Sequence, residues 1–211
     1  MKLNSKIFIL AVTLSLSPLA ATAGDSGAFY GQVGTNGLGL GYAASVNNDW
    51  AVRGQFNAYK MSFSGDVGDF GVNANLTADI KLQSFLLLAD WYPTASGLRL
   101  SGGGVVNSNK VTLAGTGQVA GKVATVNGEI KMSDSLSPYL GVGYANRPKE
   151  AKGLGFNVDL GVMFQSPKTS LTATGSGITQ ADIDTQLKKM QAAADKLKWL
   201  PVLGFGVSYG F

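Results

Sequence analysis

After Gly24 the apolar residues recur at every second position rather than at every third or fourth. Phe156, Val158, Leu160, Val162 and Phe164 share one parity, and Asn157, Asp159, Gly161, Met163 and Gln165 share the other. The last segment repeats this, with Leu203, Phe205, Val207, Tyr209 and Phe211 alternating with Gly204, Gly206, Ser208 and Gly210. Val52 and Phe56 stand opposite Arg53, Gln55 and Asn57, and Leu98 and Leu100 stand opposite Arg99 and Ser101. A period of two marks β-strands with one apolar and one polar face. The pattern predicts eight strands, near 27–34, 37–46, 49–64, 76–92, 97–114, 128–146, 152–172 and 199–211. Residues 34–37 are read as a tight first hairpin rather than a kink, because single-chain bacterial barrels carry an even number of strands. Short joints at 46–49, 93–97 and 147–152 alternate with longer ones at 63–75, 115–127 and 172–198.

One segment departs from this period. Between Thr179 and Trp199, Ile183, Leu187, Met190, Ala194 and Leu197 recur at spacings of three and four, which predicts a helix with an apolar stripe. Thr179 and Asp182 form an N-terminal capping pair, with Asp in place of the usual Glu.

The polar parity is unusual for a soluble sheet. It carries Gly, Ser, Asn and Gln with a few charges, a poor outer surface for a soluble protein but a good filling for a narrow barrel whose apolar side meets lipid. Aromatic residues gather near the predicted strand ends: Phe29, Tyr30, Trp50, Trp91, Tyr92, Tyr139, Tyr209 and Phe211. They are read as interfacial girdles. The expected fold is therefore an eight-stranded antiparallel transmembrane β-barrel with one helix in its last extracellular loop, residues 176–198. The even count puts both termini on the periplasmic side.

Composition narrows the functional classes. The chain has 211 residues, 29 Gly, 14% charged residues, and neither Cys nor His. That removes disulfides, Cys or His metal sites, a Cys nucleophile and any His general base. No cofactor or metal is expected. The net charge of +4 is too small and too scattered for a nucleic-acid binder. At the N-terminus, Lys2 and Lys6 precede an apolar run over residues 7–19 and the small-residue site Ala21-Thr22-Ala23. These parts predict a secretory signal peptide over residues 1–23, with residues 24–211 forming the mature barrel.

Few ionisable residues fall on the lumen parity. Arg53, Asp90, Arg99 and Asp159 do, and they are expected to pair inside the barrel, either as a structural ion cluster or as a selectivity network. Asp90 and Arg99 flank a short turn and are expected to pair across it.

The terminal strand, with Gly206, Tyr209 and Phe211, resembles the insertion signal that the barrel-assembly machinery reads in outer-membrane barrels. More widely, the segments 87–93, 97–101, 137–143 and 159–165 resemble a family of small outer-membrane barrels of Gram-negative bacteria, of the OmpA/OmpX type. Ser166 and Gly210 depart from residues common in that family, a Gly and an Arg. The resemblance implies no defined activity. The resulting expectation is an integral outer-membrane protein with a structural or surface-interaction role and no catalysis. It would act as a monomer, with outer-membrane lipid and lipopolysaccharide and the assembly machinery as its partners. The alternative is a small solute channel or transporter.

Overall fold

The computed structural model describes residues 27–66, 75–132, 136–146 and 152–211. The expected signal peptide lies outside them. Among the described residues eleven strands and one α-helix follow in chain order: β1 (Gly27–Gly34), β2 (Gly37–Ser45), β3 (Trp50–Asp66), β4 (Asn75–Trp91), β5 (Leu98–Asn107), β6 (Lys110–Val119), β7 (Lys122–Lys131), β8 (Leu136–Ala145), β9 (Gly153–Phe164), β10 (Lys168–Thr174), α1 (Gln180–Asp195) and β11 (Trp199–Gly210). All pairings are antiparallel. Eight strands close a barrel in the order β1-β2-β3-β4-β5-β8-β9-β11, and β11 pairs back onto β1 with Ala28 opposite Gly210. Closure leaves no free edge, which a wall in lipid requires because every backbone group must find a partner within the sheet.

Residues 34–37 form the first hairpin, with Gly34 opposite Gly37. Gly37 takes φ +96, a left-handed conformation that glycine adopts without penalty.

The remaining strands, β6, β7 and β10, continue the barrel wall beyond the rim farther from the termini. β4 pairs with β5 over Ser84–Trp91 and with β6 over Asn75–Lys81, so β6 prolongs β5 along the same neighbour. β7 and β10 prolong β8 and β9 in the same way. With the upper part of β3, these strands make a five-stranded extension, β3-β4-β6-β7-β10, standing on one side of the barrel. The sequence pattern predicts continuous strands over 97–114, 128–146 and 152–172; the breaks at 108–109 and 165–167 correct the first and the last, and residues 133–135 of the second lie outside the described residues. The long loop expected at 115–127 is also corrected. Strands run through most of it, and Val119 faces Lys122 across a two-residue turn. Ala120 and Gly121 in that turn both have positive φ, 52 and 77, the conformation of a tight hairpin turn.

The apolar face changes sides along this wall. Within the barrel, Phe56, Phe85, Val106, Leu140 and Leu160 are exposed on the outside, while Gln55, Asn57, Ser84, Asn107 and Asp159 are buried inside. Beyond the rim the inner parity becomes apolar, with Ile80, Val111, Leu113, Val126, Ile130 and Leu171, and the outer parity becomes polar. This switch marks where the wall leaves lipid for water. Helix α1 lies on the inner face of the extension, against β10 and β6. A Cβ on Gly128 would lie 3.4 Å from Met190 Cε, so glycine here lets the helix come close. Gln191 accepts from the Thr169 backbone N–H at 3.1 Å, and Lys122 Nζ lies 3.1 Å from Asp182. The capping pair is formed: Thr179 Oγ1 accepts from the Asp182 backbone N–H, and the Asp182 carboxylate accepts from the Thr179 backbone N–H. These contacts, with Lys122, hold the Asp182 carboxyl below the usual carboxylate range. Ile183, Leu187, Met190 and Leu197 are all half-buried.

Candidate functional site

The interior of the barrel brings together four side chains from distant parts of the chain. Arg53 comes from β3, Asp90 from β4, Arg99 from β5 and Asp159 from β9, and all four are buried. Arg53 Nε lies 2.9 Å from Asp90 Oδ2, and its Nη1 donates to Asp159 Oδ2 at 2.9 Å. Arg99 Nη2 donates to Asp159 Oδ1 at 2.8 Å. The pairing expected across the turn, Asp90 with Arg99, is the longest contact of the four, at 3.8 Å. Ser101 completes the ring by donating to Asp90 Oδ1 at 2.5 Å and accepting from Arg53 Nη2 at 3.3 Å. Two guanidinium groups and two carboxylates leave this ring neutral, the condition under which charges persist in a dry interior.

Local sequence explains the placement. Ser101 is the cross-strand partner of Asp90, and Gly143 lies between Arg99 and Asp159 in the β5-β8-β9 register. A Cβ on Gly143 would stand 2.9 Å from Asp159 Oδ1 and 3.0 Å from Arg99 Nε. The missing side chain therefore gives the salt bridge its room.

Neutral hydrogen bonds continue the filling. Tyr30 donates its hydroxyl to Gln55 at 3.0 Å, Gln55 donates to Asn57 at 2.6 Å, and Asn57 donates to Ser84 at 3.1 Å. Asn157 donates to Gln32 at 3.0 Å. An apolar cluster of Leu86, Leu88, Val105, Tyr139, Met163 and Val202 fills the rest, with Leu200 packed against it. The space left among Gln32, Arg53, Gln55, Leu86, Tyr139 and Asp159 is about 10 Å³, no more than one water needs.

Three aromatic residues assigned to the girdles from sequence belong to this lumen instead. Tyr30, Tyr92 and Tyr139 are buried, at 7%, 2% and 2% exposure. The Tyr139 ring lies over Gly141 and Gly161 in space that side chains at those glycines would occupy. Parity carried the signal: Tyr30 alternates with Phe29, and Tyr92 with Trp91, so only one of each pair can face lipid. The outer members do form clusters. Trp50 and Trp91 stack at 6.3 Å, and Phe29 packs against Tyr42 at 4.9 Å and Phe211 at 5.8 Å.

The terminal-strand residues lie along the β1–β11 seam. A Cβ on Gly206 would collide with the Gly31 carbonyl, Tyr209 pairs with Phe29, and the Phe211 backbone N–H donates to the Gly27 carbonyl at 3.2 Å. Among the described residues no group of acidic, His or Cys side chains is arranged to hold a metal.

No family model matches the chain, and no curated protein does. Solved structures do match. CarO2 of Acinetobacter baumannii superposes with a TM-score of 0.61 at 24% identity, covering 88% of this chain and 98% of that one. CarO of the same organism gives a TM-score of 0.58 at 25% identity, covering 88% and 97%. A major outer membrane protein of Thermus thermophilus is more remote, with a TM-score of 0.44 at 15% identity, covering 88% and 98%. The two Acinetobacter matches support the expected outer-membrane barrel without supporting the OmpA/OmpX type in particular. The closed barrel, its outward apolar face and its structural neighbours identify the chain as an outer-membrane β-barrel protein.

Proposed function

We propose that this protein is a non-conducting, non-catalytic barrel that anchors a sheet-and-helix extension and presents it at the cell surface. The closed lumen carries this reading. An ion needs a continuous polar, hydrated path, and here the charges neutralise one another while an apolar cluster fills the remaining cross-section. Eight strands also enclose an interior only wide enough for side chains. The extension, by contrast, uses long strands, a tight hairpin and a capped helix that a barrel does not need for closure. With both termini periplasmic, this extension lies outside the cell.

Conductance tests the reading. The mature chain, refolded and inserted into planar bilayers, is expected to give no steady unitary currents. Stable channels that disappear on boiling the sample would replace this proposal with the solute-channel alternative and make Arg53, Asp90, Arg99 and Asp159 its selectivity residues.

A further inference from the structure

Five lysines that are far apart in sequence form one row across the extension. Lys60 is opposite Lys81, Lys81 is opposite Lys110, Lys110 is opposite Lys131, and Lys131 is opposite Lys168. Directly opposed residues point to the same face of a sheet, and strands lie about 4.8 Å apart, so the row is about 19 Å long. It shares the outward parity of the lipid-facing residues. It stands four residues beyond an apolar one within β3 and β4, Lys60 after Phe56 and Lys81 before Phe85, and likewise across the breaks from β5 to β6 and from β9 to β10, Lys110 after Val106 and Lys168 after Phe164. The residues between them on that face are Ala58, Gln83, Ser108 and Ser166. Four residues of strand span about 13 Å, or about 10 Å along the barrel axis at the usual strand tilt, which sets the row above these apolar residues at the height of a headgroup layer.

Like charges directly opposite each other destabilise a sheet. Glu129 reaches this row, lying 3.4 Å from Lys110 and 3.8 Å from Lys131. Among the described residues Lys60 and Lys81 have no carboxylate within ion-pair distance, and Lys110 and Lys131 share Glu129, so these four lysines can take further anions. Immediately beyond the lysines, on the same face, Thr112, Asn127, Glu129, Ser170 and Thr172 line a shallow depression of about 260 Å³. Its hydroxyl and carboxamide groups match sugar hydroxyls, and the lysines match phosphates.

We infer that this face binds the phosphorylated saccharide headgroup of an outer-leaflet glycolipid, with phosphates on Lys60, Lys81, Lys110 and Lys131 and sugar in the depression above. The assignment rests on the surface-exposed orientation of the extension proposed above, but its test does not depend on conduction or orientation.

The test uses the mature chain refolded in dodecyl maltoside. Bis-phosphorylated lipid A, its fully dephosphorylated form and phosphatidylglycerol are titrated separately, and bound lipid is read by native mass spectrometry. The variant Lys81→Gln/Lys110→Gln/Lys131→Gln is compared with Lys188→Gln/Lys189→Gln/Lys196→Gln, which removes the same charge from exposed positions on and just after α1. The row variant is expected to bind lipid A about tenfold more weakly, since each Lys near an anionic surface adds to the attraction. Wild-type protein is expected to bind the dephosphorylated form equally weakly, and the helix variant to bind lipid A as wild type does. In lipid-free detergent the row variant is expected to unfold at the same temperature as wild type or higher, because repulsion is relieved. That result separates lost binding from lost folding. Unchanged lipid A binding by the row variant, equal loss in the helix variant, or phosphatidylglycerol binding as tight as lipid A would each overturn the assignment.

Discussion

Arg53 holds two buried carboxylates at once, contacting Asp90 and Asp159 from opposite sides. Replacing it removes one positive charge from a neutral ring and leaves Arg99 to serve both acids. Breaking a buried pair in this way costs about 3–5 kcal/mol, because the remaining charge stays in a dry interior. Arg53→Ala is therefore expected to destabilise the refolded barrel by about that amount in urea titrations in lipid vesicles, read by heat-modifiable mobility. A loss within error of zero would show that water enters the ring and compensates it. Glycine acts at the same scale by absence: at Gly143 the missing Cβ makes the Arg99–Asp159 contact possible. The sequence puts Arg53, Asp90, Arg99 and Asp159 on the lumen parity, but it cannot rank their pairings, which depend on register between strands far apart in the chain.

At the scale of elements, β11 is the strand that closes the barrel, pairing with β9 on one side and β1 on the other. Phe211 lies at its end, 5.8 Å from Phe29 and 6.4 Å from Tyr42 between ring centres. Loss of that side chain removes an aromatic anchor from the seam as well as the terminal residue of the proposed insertion signal. Deletion of Phe211 is expected to lower folded protein in the outer membrane several-fold while leaving refolding of the purified chain in detergent largely intact. Equal impairment in both settings would assign Phe211 to barrel stability rather than to assembly. Helix α1 shows a different legibility. Its stripe and its capping pair follow from local spacing alone, and the structure forms both. Its surroundings do not follow. Local spacing predicts a stripe but not what it packs on, and α1 packs on the inner face of a wall extension, part of which the sequence pattern reads as loop.

The whole molecule is a barrel with one tall side, and its orientation decides what that side meets. In the proposed orientation, with the termini in the periplasm, the extension and α1 lie outside the cell. Lys189 is exposed on α1, while the neighbouring Met190 faces the sheet at Gly128. Lys189→Cys is expected to react promptly on intact cells with a membrane-impermeant maleimide, and Met190→Cys at least severalfold more slowly. Reaction at neither position before lysis would invert the topology. Prompt reaction at both would mean that α1 leaves the sheet in the living membrane and offers its apolar stripe to a partner.

Alternation along each strand and the capped helix were determined by the sequence itself, because they depend on residues within reach of one another along the chain. The tyrosines at 30, 92 and 139 fall in the girdles only if their aromatic character is weighed above their parity. The tertiary structure decided everything that depends on register between separate strands. It chose Arg53 as the partner of Asp90, turned the expected loop at 115–127 into a hairpin of the wall, and reversed the apolar face beyond the rim. It also aligned Lys60, Lys81, Lys110, Lys131 and Lys168 into one row. No local period announces that row, since its lysines stand more than twenty residues apart along the chain and the ladder of backbone hydrogen bonds alone brings them level.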